Sequence, residues 1–175
     1  MNLLVISASL NPESKSRLLA DAASATLTAD HVAHERLDLR DLPLPLCDGS
    51  AAYGHPNVAK AAALVSTANA IMVAAPIYNY DVNAALKNFL ELTGKAWTDK
   101  TVSFLVAAGG HASYMSIMGL ANSLMLDFRC LIVPRFVYAA PADFSEIGIA
   151  SEQVTARIAE CARATAQLAR QRSTG

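Results

Sequence analysis

The sequence predicts an α/β protein: a doubly wound, five-stranded parallel sheet with helices on both faces. Three observations carry this reading. Short apolar runs alternate with segments of helical periodicity five times along the chain. The run Ala70–Ala75 is apolar at every position, which suits a strand buried on both faces. The stretches of unusual composition follow the first, third and fourth strands. In a sheet of this kind the ligand sits beyond the carboxyl ends of the strands, where strand order reverses, and those three loops would meet there.

The elements follow in order. Asn2 to Ser7 is a first strand, and Ala8 to Ser16 a polar loop. A helix from Ser14 to Ala29 puts Leu18, Leu19, Ala22 and Ala23 at helical spacing. His34 to Leu39 alternates weakly and reads as a second strand. Arg40 to Pro56, with Pro43, Pro45, Gly49 and Gly54, is long for a loop in a compact domain, a length that points to function or an oligomer contact. Asn57 to Asn69 is an Ala-rich helix, and Ala70 to Ala75 the third strand. A helix over Asn83 to Thr93 continues a face of Val82, Leu86, Phe89, Leu90 and Thr93, with Gly94 as its stop. Thr101 to Ala108 is the fourth strand and Tyr114 to Phe128 the fourth helix. Leu131 to Tyr138 is a fifth strand that Pro134 interrupts. Ser151 to Gln171 is the last helix, with Ser151 as N-cap.

Length and composition bound the function. At 175 residues the chain reads as a single domain over 1–175. It is 53% hydrophobic and 17% charged, which excludes a disordered chain. A net charge of −1 offers no footprint for nucleic acid or an anionic membrane. Cys47, Cys130 and Cys161 have neither C-x-x-C nor metal-type spacing, so a reduced, cytoplasmic setting is expected rather than a disulfide framework. The N-terminus lacks a basic start and reads as a strand, not a secretion signal. No apolar run reaches the roughly 18 residues of a membrane span.

The loops hold the chemistry. Ser7 to Ser16 carries four serines, Asn11 and Lys15 just ahead of a helix. Backbone N–H groups and the dipole at a helix start favour an anion, and hydroxyls add donors that suit a phosphate. A plain turn with Ser14 as N-cap is an equal reading of the same residues. Neither G-x-x-x-x-G-K-[ST] nor G-x-G-x-x-G occurs, which disfavours a nucleoside triphosphate and a standard dinucleotide site. After the third strand, Pro76-Ile77-Tyr78-Asn79-Tyr80 offers flat apolar rings and an amide, the groups that would hold a planar heteroaromatic ring. Gly109-Gly110-His111-Ala112-Ser113 allows close approach of backbone to a ligand. His111 reads more simply as a surface or capping residue than as a catalytic one. Lys87 and Glu91 read as a solvated i, i+4 ion pair, and Cys161 as core.

At these residues the chain resembles the NADPH-dependent FMN reductase family of flavodoxin-like proteins. Members carry a first loop of the form G-S-x-R-x-x-S-x-N and a third-strand loop of the form P-E-Y-N-x-x-x-x-x-A-L-K-N. Here the first is Ala8-Ser9-Leu10-Asn11-Pro12-Glu13-Ser14-Lys15-Ser16, and the second runs Pro76-Ile77-Tyr78-Asn79 through Ala85-Leu86-Lys87-Asn88. The resemblance spans Asn2 to Phe128. It implies that Ser9, Asn11, Ser14, Lys15 and Ser16 hold the phosphate of FMN. It further implies that Pro76, Ile77, Tyr78 and Asn79 line the isoalloxazine ring, with Gly109 and Gly110 at its far edge. Asn11 stands where the family has Arg, which removes a bidentate phosphate partner, and Ile77 stands where it has Glu. The implied activity is hydride transfer from NADPH or NADH through the flavin to a small acceptor such as free flavin, a quinone, an azo compound or a metal oxyanion, with no catalytic side chain. A non-enzymatic FMN electron carrier of the flavodoxin type is the alternative, though such carriers are usually strongly acidic. Met115, Ile117, Met118, Leu120, Leu124, Met125 and Leu126 ring most of the fourth helix, so a homodimer or homotetramer that buries a second face is expected.

Overall fold

The computed structural model describes residues 1–173. Along the chain run β1 (Leu3–Ser7), α1 (Lys15–Ala29), β2 (His34–Asp38), α2 (Pro56–Thr67), β3 (Ala70–Tyr78), β4 (Asp81–Val82), α3 (Ala84–Thr93), β5 (Thr101–Ala107), α4 (Met118–Phe128), β6 (Leu131–Ile132), β7 (Val137–Ala139) and α5 (Glu152–Ser173). The parallel sheet has the order β2-β1-β3-β5, and β6 and β7 both pair with the outer edge of β5. With β6 and β7 taken as one broken strand, this is the five-stranded, doubly wound order of flavodoxin-like folds, with its reversal between β1 and β3.

Alternate side chains of each central strand feed opposite layers. Leu4, Ile6, Ile71, Val73, Val102 and Phe104 pack against α2, α3 and α4. Leu3, Val5, Met72, Ala74 and Leu105 pack against α1 and α5. A sheet covered on both faces is why its strands read as continuous apolar runs. The predicted face of α3 is buried as a unit, from Val82 through Leu86, Phe89 and Leu90 to Thr93, and Gly94 caps the helix. Thr93 Oγ1 also accepts the Trp97 indole N–H at 2.8 Å, which satisfies a fully buried ring. Ser14 and Ser151 both cap as expected, accepting from Arg17 N and Val154 N. The Lys87–Glu91 pair is exposed at 3.3 Å, and Cys161 is core.

Three elements differ from the sequence reading. The third strand does not stop at Ala75. It runs through Pro76, which lies opposite Ala107, and turns back as a hairpin with Ile77 against Val82 and Tyr78 against Asp81. Asn79 and Tyr80, at φ 51° and 66°, form the left-handed two-residue turn that such a hairpin needs. The fourth helix does not begin at Tyr114. His111–Ile117 is a 3-10 segment with Ser113 outside helical geometry, and α4 proper starts at Met118. The Gly110 entry is extended and gives no side-chain cap, so the first turns are poorly anchored. The fifth strand is split, as Pro134 implied, and Arg135 beside it is left-handed at φ 61°. No helix among the described residues is long and apolar enough to cross a membrane.

Candidate functional site

At the carboxyl ends of β1, β3 and β5 the structure opens into a cavity of about 630 Å³. Its floor at one end is the β1–α1 loop. Ser9, Ser14 and Ser16 are buried there, while Asn11 and Lys15 are exposed. Ser9 Oγ accepts from Asn11 N at 3.2 Å, and Asn11 Oδ1 accepts from Glu13 N at 3.0 Å, an Asx turn that curls the loop toward the helix. Ser14 Oγ lies 2.9 Å from Ser16 Oγ and caps α1. The first turn of α1 has no acidic residue, so side chains within the helix leave the positive end of its dipole unneutralised.

Two other segments complete the walls. Pro76 and Ile77 are buried, and Tyr78 is half exposed at the rim. Across from them stand Ala107, Ala108 and Gly109, where β5 ends. Nothing lies within 4 Å of the position a Cβ on Gly109 would take, so the cavity is open at that edge. Thus Ser9, Asn11, Ser14, Lys15, Ser16, Pro76, Ile77, Tyr78 and Gly109 share one cavity. Asn79 sits at the exposed tip of the β3–β4 turn, and the Gly110 carbonyl is occupied by the Tyr138 hydroxyl; neither residue is part of the cavity wall.

Sequence reasoning missed two contributions. The segment after β7 supplies Pro141, Phe144, Ser145 and Glu146 to the far wall. Lys15 Nζ donates to the Ser145 carbonyl at 3.2 Å and lies 5.6 Å from the centre of the Phe144 ring, so the first loop touches this segment across the cavity. That segment has no unusual composition; the rule that every loop at the carboxyl edge can reach the ligand was the one available signal. The second omission is Asn83. Its Nδ2 donates to the Ala8 carbonyl at 2.7 Å with both residues buried, which fastens the first loop to the start of α3.

The electrostatics are modest. Lys15 faces Glu13 and Glu146 around the same cavity. Arg17, in the first turn of α1, is committed to Asp38 at 2.9 Å. Burial raises the Asp38 carboxyl, but hydrogen bonds from Arg40 and the charges of Arg17 and Arg40 outweigh it and hold the group below its ordinary range. The donors that converge on the first loop are therefore backbone N–H groups, three hydroxyls and one ammonium, a set that fits a phosphate without an arginine. Pro76, Ile77 and Tyr78 give the same cavity apolar groups against which a flat ring can pack.

Known proteins resemble the chain in sequence and in fold. The profile of the NADPH-dependent FMN reductase family matches residues 1–144. An NAD(P)H-dependent FAD/FMN reductase of Geobacillus thermodenitrificans is 29% identical over 130 residues, covering 72% of this chain and 70% of the relative. An NADPH:quinone oxidoreductase of Arabidopsis thaliana is 30% identical over 129 residues, covering 69% and 66%. An oxidoreductase structure from Corynebacterium diphtheriae superposes with a TM-score of 0.77 at 25% identity over 97% of both chains. An archaeal flavodoxin, at 11% identity, shares the fold with a TM-score of 0.67 over 97% of this chain and 99% of its own. The chain is an enzyme of the NADPH-dependent FMN reductase family.

Proposed function

We propose that residues 1–175 form one FMN-binding domain that oxidises NADPH or NADH and passes the hydride to a small acceptor. The observation that supports this most is the convergence of the serine loop, the β3 hairpin and Gly109 on a single cavity. Ser9, Ser14, Ser16 and Lys15 would hold the flavin phosphate, and Asn11 would shape the loop through its bond to Glu13 N. Pro76, Ile77 and Tyr78 would flank the ring on one side and Gly109 on the other, with Asn79 and Gly110 next to these in sequence but outside the cavity wall. The flavin, when bound, supplies the hydride chemistry. The chain's part is to orient the ring and exclude water; Ile77 does the latter with an aliphatic side chain that offers no proton. Free flavin and quinones are the acceptor classes in the names of its relatives, and azo compounds and metal oxyanions are further small acceptors of the same chemistry.

The exposed Met115, Met118, Met125 and Leu126 support a homodimer or homotetramer through the outer face of α4 and the segment before it. Three free cysteines support a cytoplasmic setting.

The test is a titration of purified protein with FMN, read by flavin fluorescence, followed by NADPH and NADH oxidation with and without added FMN. Flavin-dependent oxidation is expected. Protein that binds no FMN overturns the reading. Protein that binds FMN without oxidising either nicotinamide is the electron carrier instead.

A further inference from the structure

A second, smaller cavity of about 220 Å³ lies on the outer side of β7. It shares two segments with the larger one. Gly109 lines the first cavity and His111 the second; Pro141 and Phe144 line the first, Tyr138 and Asp143 the second. The Tyr138 hydroxyl donates to the Gly110 carbonyl and holds these segments together at the boundary.

The chemistry of this cavity differs from that of its neighbour. Tyr114 packs against Phe136 with ring centres 4.8 Å apart and against Tyr138 at 5.3 Å, so three rings form one wall. Arg157, from the second turn of α5, and His111 line the same cavity. Neighbouring arginines are engaged: Arg135 with Glu160 and Arg163 with Asp30. Among the described residues the Arg157 side chain makes no ion pair or hydrogen bond, and every other arginine has a partner. The one carboxylate at the cavity, Asp143, accepts from Ala140 N and is occupied as a local cap. An aromatic wall beside an unpartnered guanidinium and an imidazole recognises a flat base that carries a phosphate. The volume falls below the roughly 300–1,000 Å³ of a pocket for a whole drug-sized ligand, and so suits half of a dinucleotide.

We propose that this cavity seats the adenosine phosphate half of the nicotinamide dinucleotide, with the base on the Tyr114–Phe136–Tyr138 wall and a phosphate on Arg157 and His111. The assignment rests on the flavin reading of the larger cavity. The Gly109–Gly110 ridge then lies beneath the middle of the donor, and the nicotinamide end reaches the flavin slot. The donor is held by its non-reacting half, which is where binding energy for positioning is usually found.

The direct test is calorimetric titration of flavin-free protein with 2′,5′-ADP. This probe carries the adenosine and its phosphates but no redox group. Wild type is expected to bind it. Arg157→Gln should weaken binding roughly tenfold or more by removing a charge-assisted contact. Tyr114→Leu should weaken it severalfold while keeping a hydrophobic side chain. FMN affinity should be unmoved in both variants. In steady state, Arg157→Gln should raise KM for NADPH by a similar factor without lowering kcat, and leave KM for reduced nicotinamide mononucleotide unchanged, since that donor lacks the adenosine half. Failure of wild type to bind 2′,5′-ADP, equal binding by Arg157→Gln, or an equal rise in KM for the mononucleotide would each overturn the proposal. Failure of the flavin reading shows separately, as the absence of FMN binding.

Discussion

Replacing Ser14 separates the two jobs that its hydroxyl is placed to do. Its Oγ accepts from Arg17 N at 3.3 Å as the cap of α1, and it lies 2.9 Å from Ser16 Oγ on the cavity floor. Ser14→Ala removes the cap, which costs about 1 kcal/mol. For a domain of this size that lowers Tm by about 2–4 °C. The same change removes a donor to the flavin phosphate, and a hydrogen bond to a charged group contributes about 1.5–3 kcal/mol, or roughly a ten- to hundredfold loss of FMN affinity. Ser14→Asp divides the two effects. Aspartate caps as well as serine, so Tm should return close to the wild-type value. Its carboxylate would face the phosphate, where like charges 4 Å apart repel by about 4 kcal/mol at the effective dielectric of a protein surface, so FMN should bind worse than to the alanine variant. Riboflavin has no phosphate and should bind all three proteins alike. The assay is fluorescence titration with FMN and riboflavin in parallel, beside thermal unfolding of the flavin-free proteins. Equal losses for FMN and riboflavin, or wild-type FMN affinity in Ser14→Asp, would refute the phosphate assignment of the first loop.

Other consequences are open to simple measurement. Asn83→Ala strands the buried Ala8 carbonyl and should destabilise the fold by about 1–3 kcal/mol in urea unfolding, with FMN affinity falling as the first loop loses its tie; unchanged stability would show that the bond contributes nothing. Burial of Cys130 pushes its thiol from 9.0 up to about 11, so the thiol stays neutral in the folded state after the unfolded chain has ionised. Its contribution to stability is complete below pH 9 and is lost as pH rises toward 11, and the alkaline decline should be shallower in Cys130→Ala than in wild type. Leu126, 84% exposed on α4, should be covered in the oligomer. Light scattering at micromolar concentration should give a dimer or tetramer for wild type and a smaller species for Leu126→Lys, whereas a monomeric wild type would remove the argument.

The sequence made the layers legible because a strand covered on both faces leaves a run such as Ala70–Ala75 with no polar position to mark a face. The site was legible where residue types are unusual for a loop, as in the serines ahead of α1 and the aromatic stretch after Ala75. It was not legible where tertiary pairing decides. Pro76 reads as a strand end because it cannot donate to a ladder, yet it sits in register with Ala107 and the strand continues past it. Asn79 and Tyr80 read as a ligand loop because their left-handed turn is set by the β4 partner and not by a glycine. The Phe144–Glu146 wall has ordinary composition, and its contact with Lys15 is made across 130 positions, from Lys15 to Ser145. Asn83 belonged to the recognised motif, but its role as a clasp on Ala8 is a contact across 75 positions that no local pattern records.

The two margins of the sheet also constrain how this protein can assemble and misassemble. At one margin β2 is short and presents Glu35 and Arg36 to solvent; at the other, Pro134 and the left-handed Arg135 divide β6 from β7. Neither margin offers a long straight row of free backbone groups, so a newly made chain with much apolar strand sequence has no template on which to polymerise edge to edge. Self-association is thereby channelled to side-chain surfaces on the helices, which can close on themselves by symmetry and stop at a defined number of copies. A substitution that straightened the break at Pro134 would join β6 to β7 as one strand and should show its first effect in yield and turbidity during refolding, before any change in the flavin site.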